Sequence, residues 1–249
     1  MKKYIFGNWK TNKTIKEVQA FFNTLNATDL SQQSNVSFGV APVFLHLDLA
    51  NQLKKPECII LAQDANYIKS GANTGTVSYE QLKDMGINHV IIGHSERRTL
   101  FHETDELINQ KTKVLLENNM TVVLCIGETL EQYEANKTND VLKEQLLKDL
   151  KDINKELFVN LIVAYEPVWA IGTGKTASSQ TAQEAIAFVR KVLAEISSTE
   201  IASNVPILYG GSVTPDNISE LLAQKDINGA LVGGASLDAT KFIKLIEAK

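Results

Sequence analysis

The feature that most constrains this chain is a repeat of pattern rather than of residues. Short β-branched or apolar runs alternate with longer segments of helical period, eight times along the chain. The runs are 4–7, 36–41, 58–62, 89–93, 122–126, 161–165, 206–209 and 230–232. The helical patterns that follow them are 14–26, 45–53, 79–85, 104–118, 130–150, 179–196, 215–223 and 238–248. Such an order implies parallel strands joined by crossover helices. Two helix starts carry local signals: Ser78 with Gln81 has capping-box spacing, and Thr214-Pro215 puts a proline where a first helical residue belongs.

Eight units in 249 residues give about 31 residues per unit, and no composition shift or Gly/Ser linker divides them. The expectation is α/β: a single closed (β/α)8 barrel, one domain over residues 1–249. A doubly wound open sheet is the alternative, because periodicity does not encode closure. In both architectures ligands meet the carboxyl ends of the strands, so the residues just after each run carry the function.

Composition removes several classes. The formal charge of −4 disfavours a general nucleic-acid surface, although a few local donors still suffice for an anionic ligand. No window approaches the roughly 18 consecutive apolar residues of a membrane span. The apolar run 4–6 is too short for the core of a secretion signal, so a cytoplasmic location is expected. Cys58 and Cys125 lack C-x-x-C spacing and lie inside apolar runs, against both a disulfide framework and a metal site.

The strand ends collect chemistry. Asn8 and Lys10 follow the first run, His94 the fourth, Gly127 and Glu128 the fifth, and Glu166 the sixth. Gly210, Gly211 and Ser212 follow the seventh, and Gly233 and Gly234 the eighth. Each alone has an ordinary structural reading, as His46, His89 and His102 retain; co-location at one barrel mouth sets the others apart. Glycines at the seventh and eighth strand ends let backbone N–H groups approach a phosphate closely.

Residues 164–176, AYEPVWAIGTGKT, resemble the end of a nucleotide loop, but the details disagree. A Walker A loop requires glycine at position 169, where Trp169 stands. The dinucleotide spacing of Gly172, Gly174 and Ala177 is formally met, yet six residues separate Gly172 from the strand. What remains is an acid followed by a rigid proline, an apolar centre and small residues. It reads as a lid over 167–176 or as a loop packed permanently on the barrel.

Five motifs in order, GNWKTN (7–12), IIGHSERR (91–98), AYEPVWAIGTGKT (164–176), YGGSV (209–213) and LVGGASL (231–237), resemble the triosephosphate isomerase family from end to end. The resemblance implies interconversion of dihydroxyacetone phosphate and glyceraldehyde 3-phosphate in glycolysis and gluconeogenesis, with no metal or organic cofactor. The family is a standard example of acid–base tuning, and the resemblance implies Glu166 as the base, His94 as a neutral electrophile, Lys10 as the stabilising cation and Asn8 as a positioning group. Ser95 and Glu96 would support them, and Cys125 would be structural. Gly172, Ser212, Gly233 and Gly234 would hold phosphate, and Pro167, Val168, Trp169, Ala170, Ile171, Gly172, Thr173, Gly174, Lys175 and Thr176 would form the lid.

The family is generally dimeric through a loop equivalent to 66–76. Here the loop departs from the family pattern: Asn73 and Thr76 stand where an aromatic and a glutamate are common, and Thr11 replaces a frequent methionine. A homodimer is expected, with weaker contacts. On the residues alone, a phosphate-binding protein without turnover and a Schiff-base aldolase using Lys10 are the alternatives.

Overall fold

The computed structural model describes residues 2–170 and 177–248. Its eight strands are β1 (Lys3–Asn8), β2 (Val36–Ala41), β3 (Cys58–Ala62), β4 (His89–Ile92), β5 (Thr121–Ile126), β6 (Leu161–Tyr165), β7 (Ile207–Tyr209) and β8 (Gly229–Val232). Every neighbouring pair is parallel, and β8 returns to β1 with Tyr4 opposite Gly229 and Gly7 opposite Val232. The sheet is therefore a closed barrel in sequential order, which removes the open-sheet alternative.

Closure explains why the strands read as continuous apolar runs rather than alternating ones: both faces are buried. Along β5, Val123 and Cys125 point into the barrel, where Phe6, Leu61, Ile91, Ile162 and Leu208 join them. Val122, Leu124 and Ile126 point outward into the layer beneath the helices. The helices present matching stripes, such as Val18, Phe21, Phe22 and Leu25 of Ile15–Ala27. Among the described residues, no helix is long and apolar enough to cross a membrane.

Strand boundaries agree with the periodicity to within one or two residues, and the Ser78 capping box forms as expected. The long helical pattern 130–150 is in fact two helices, Leu130–Glu134 and Thr138–Asp149. Asn136 between them adopts φ +57, a left-handed conformation that breaks the backbone ladder without disturbing apolar spacing. Pro215 does not open a helix either. The Asn217 side chain bonds Thr214 N–H and Ser212 C=O into a turn, and the helix begins at Ile218. Two short helices lie outside the eight helical patterns: Ser95–Leu100, whose N-terminus stands beside His94, and Thr199–Asn204.

Candidate active site

A cavity of about 690 Å³ opens at the carboxyl ends of the strands, and Asn8, Lys10, His94, Glu166, Ser212, Gly233 and Gly234 all line it. Residues separated by as much as 226 positions thus converge because each sits at or just after a strand end. Asn8 closes β1; Glu166 directly follows β6, Gly210 follows β7 and Gly233 follows β8.

Glu166 is 2 % exposed, and its carboxylate is fully engaged. Oε2 accepts the Ser95 N–H at 3.0 Å, and Oε1 lies 3.0 Å from His94 Nε2. Burial alone would raise its pKa, but the His94 ring, the Ser95 N–H and Lys10 offset that and hold it below the usual carboxylate range. Burial pulls His94 down in turn, and the adjacent Glu166 carboxylate lifts it above its ordinary value. His94 Nδ1 accepts the Glu96 N–H at 3.2 Å, which leaves Nε2 as the proton-bearing nitrogen facing the cavity.

Lys10 is held in a left-handed conformation, φ +51, that only a few per cent of non-glycine residues adopt. Its N–H donates to Asn8 Oδ1 at 3.1 Å, and Gln63 donates to its carbonyl at 2.9 Å. The Nζ is aimed at Glu96 Oε1, 2.7 Å away. Backbone strain of this kind persists where surrounding contacts over-determine it, a recurrent mark of functional positions.

The glycines divide into two kinds. A Cβ on Gly127 or Gly210 would collide with Glu166 itself, so these are small to let the base sit where it does. A Cβ on Gly234 would meet nothing within 4 Å, and one on Gly233 only the Lys10 side chain at 3.8 Å. Protein packing does not require glycine there, whereas close approach of a ligand to the backbone would.

Glu128, fully buried and outside the expected site set, anchors the segment after Glu166. Its Oε1 accepts the Trp169 Nε1–H at 2.8 Å and the Tyr165 hydroxyl at 3.1 Å, and its carbonyl accepts the Val168 N–H. Burial raises the Glu128 carboxyl despite these donors. Tyr133 stacks on Trp169 with ring centroids 4.3 Å apart. Pro167, Val168, Trp169 and Ala170 are thereby docked on the barrel; the expected lid residues Ile171, Gly172, Thr173, Gly174, Lys175 and Thr176 lie outside the described residues. Cys125 lies in the barrel interior, its thiol pushed well up by burial and by nearby Glu166. Tertiary proximity reveals Glu128; its only sequence signal was its place after β5.

A family model described as triosephosphate isomerase matches residues 3–249. A triosephosphate isomerase of Mycoplasmoides gallisepticum is 73% identical over 249 residues, covering 100% of this chain and 99% of its own length. Those of Finegoldia magna and Mycoplasma pneumoniae are each 48% identical, over 247 and 245 residues, with 98% of both chains covered in each case.

Proposed function

Since the chain belongs to the triosephosphate isomerase family and interconverts dihydroxyacetone phosphate and glyceraldehyde 3-phosphate, we propose that Glu166, His94, Lys10 and Asn8 are the groups that carry the reaction in it. The observation that carries this reading is the fully buried Glu166 carboxylate, 3.0 Å from His94 Nε2, on the wall of the cavity that Lys10 and Asn8 share.

The chemistry follows from those positions. Glu166 takes a proton from C1 of the ketose; the C–H electron pair becomes the C1=C2 bond, and charge develops on the C2 oxygen. His94 passes its Nε2 proton to that oxygen and regains one from the C1 oxygen. Glu166 then returns its proton to C2, leaving the aldehyde at C1, so protons and electrons balance without an external reagent. Turning toward the substrate carbon takes the carboxylate away from His94. That loss strengthens Glu166 as a base, and it removes the lift on His94, whose burial then favours the neutral ring. Lys10 and Asn8 stabilise and orient the enediolate, an electrostatic task at which one donor is typically worth about 10²–10³ in rate. The Lys10–Glu96 ion pair suits that task better than Schiff-base chemistry, which consumes a neutral amine.

Ser212, Gly233, Gly234 and Gly172 are the proposed phosphate contacts, and 167–176 the lid that excludes water from the enediolate. A second copy of the chain is the proposed partner, through 66–76. In support, Ile15, Leu45, Leu100 and Phe101 are exposed on segments tied to that loop's rim. Gln63 bonds to Lys10 C=O, His46 to Lys13 C=O, and Arg97 pairs with Asp64. The proposed setting is the cytoplasm. Glu166→Gln tests the site: turnover is expected to vanish while a phosphate-bearing analogue still binds, and retained turnover would remove Glu166 from its role.

A further inference from the structure

Helix Thr138–Asp149 lays a stripe against the barrel in which Leu142 and Leu146 are buried, and the next residue of that stripe is Asp149, 0% exposed. A carboxylate in a core position costs several kcal/mol in desolvation unless well paired. Its Oδ2 accepts Arg98 Nη2–H at 2.6 Å, while Oδ1 is buried with no hydrogen-bond partner among the described residues. Burial raises this carboxyl to about 7 even against the pull of Arg98.

Arg98 directs its other donors at the active-site backbone. Nε donates to Gly93 C=O at 2.8 Å, and Nη2 also to Cys125 C=O at 3.0 Å. Gly93 immediately precedes His94 and holds φ +72, a conformation that glycine reaches without strain and an L side chain rarely adopts. One guanidinium therefore ties the end of β4, which leads into His94, to β5, the strand between it and β6, which leads into Glu166. Arg98 and Glu166 also line the same small cavity, about 130 Å³, with Ser95, Gly127 and Gln145.

A second carboxylate, Asp105, bonds Arg98 Nη1 at 2.7 Å, but it is partly exposed and shared with Lys148 at 3.5 Å. The charged and titratable groups facing Asp149 are Arg98, Asp105 and Lys148; those facing Glu166 are His94, Lys10 and Cys125. Of the two carboxylates on Arg98, Asp149 is the fully buried one, and it holds the same Nη2 that reaches the Cys125 carbonyl.

We propose that Asp149 is a positioning residue for the isomerisation, acting through Arg98 to fix the Gly93–His94 backbone against Glu166. The inference rests on the proposed roles of Glu166 and His94. An ion pair with only a structural role behaves differently: removing one partner lowers stability, but the variant that still folds would turn over normally.

The test uses full-length Asp149→Asn and Asp149→Leu, read as kcat, KM and the pH profile of kcat/KM. We expect kcat to fall about tenfold with KM nearly unchanged, as for a small displacement of reacting groups. The acid limb set by Glu166 should stay in place, because a carboxyl raised to about 7 is already neutral at that pH, whereas the step that Asp149 adds to the wild-type profile near pH 7 should be absent from both variants. Wild-type kcat in either folded variant would overturn the proposal. Asp105→Asn, on the exposed side of Arg98, is expected to retain the wild-type kcat, so a loss there as large as that expected at Asp149 would overturn the assignment even if both Asp149 variants fail to fold. If Glu166→Gln kept turnover, the reading of the base would fail; if it lost turnover while the Asp149 variants were normal, only this inference would.

Discussion

Replacing Gly127 with alanine should damage catalysis through one atom. The added Cβ would lie 2.7 Å from the Glu166 carbonyl carbon and closer still to its oxygen. Non-bonded carbons rest at roughly 3.5–4.0 Å, so the end of β6 must withdraw by about 1 Å. Backbone, not a flexible side-chain tip, has to yield, and it is the backbone that carries Glu166. Misplacement by about 1 Å costs on the order of 10²-fold in rate, or about 2.7 kcal/mol of barrier. Overpacking adds about 1–3 kcal/mol of lost stability, a fall in Tm of several degrees in a chain this size. The assay is coupled spectrophotometric turnover from each triose phosphate, beside thermal unfolding. Gly234→Ala is the control: its Cβ meets nothing in the protein, so Tm should hold while KM for the phosphorylated substrate rises about tenfold. A folded Gly127→Ala enzyme with wild-type kcat would refute the reasoning.

Glu128→Ala leaves the buried Trp169 and Tyr165 donors without their shared acceptor, at about 1–3 kcal/mol each; an unchanged denaturation midpoint and Trp emission would contradict this. His89, at the start of β4, is held neutral by burial, its pKa lowered to about 4. The unfolded chain binds that proton first, so stability should fall as pH drops from about 6.5 to 4, by up to about 3 kcal/mol. His89→Gln should lack that component, and identical pH–stability curves would count against it. Within 66–76, the Thr76 hydroxyl bonds Asn66 and Asn73 of its own loop, and Arg97 is occupied by Asp64 and Glu103. Sedimentation should therefore show dissociation at higher concentration than in a relative with an aromatic at 73 and glutamate at 76; an undissociable dimer at high dilution would refute this.

Much of the barrel was legible because burial on both faces leaves each strand an uninterrupted apolar run, readable without partners. Closure was not, since the pairing of Tyr4 with Gly229 is a long-range fact that no local window contains. The break at Asn136 escaped because a single left-handed residue leaves apolar spacing intact. Pro215 misled because proline suits a turn as well as a helix start, and the Asn217 side chain selects the turn. In the site, strand-end position brought Asn8, Lys10, His94 and Glu166 together in advance. The Lys10 conformation, the Glu128 anchor and the Arg98–Asp149 pair required tertiary contacts. Asp149 nonetheless left a trace, as a carboxylate on the stripe of Leu142 and Leu146.

The central claim is that the buried carboxylate of Glu166 moves the carbon-bound proton. Glu166→Gln keeps the shape and removes the base, and single-turnover exchange of the substrate C1 hydrogen with deuterated water reads that step directly. Exchange and turnover should both fall by several orders of magnitude while phosphate-analogue binding persists. Exchange at the wild-type rate in the folded variant would contradict the account.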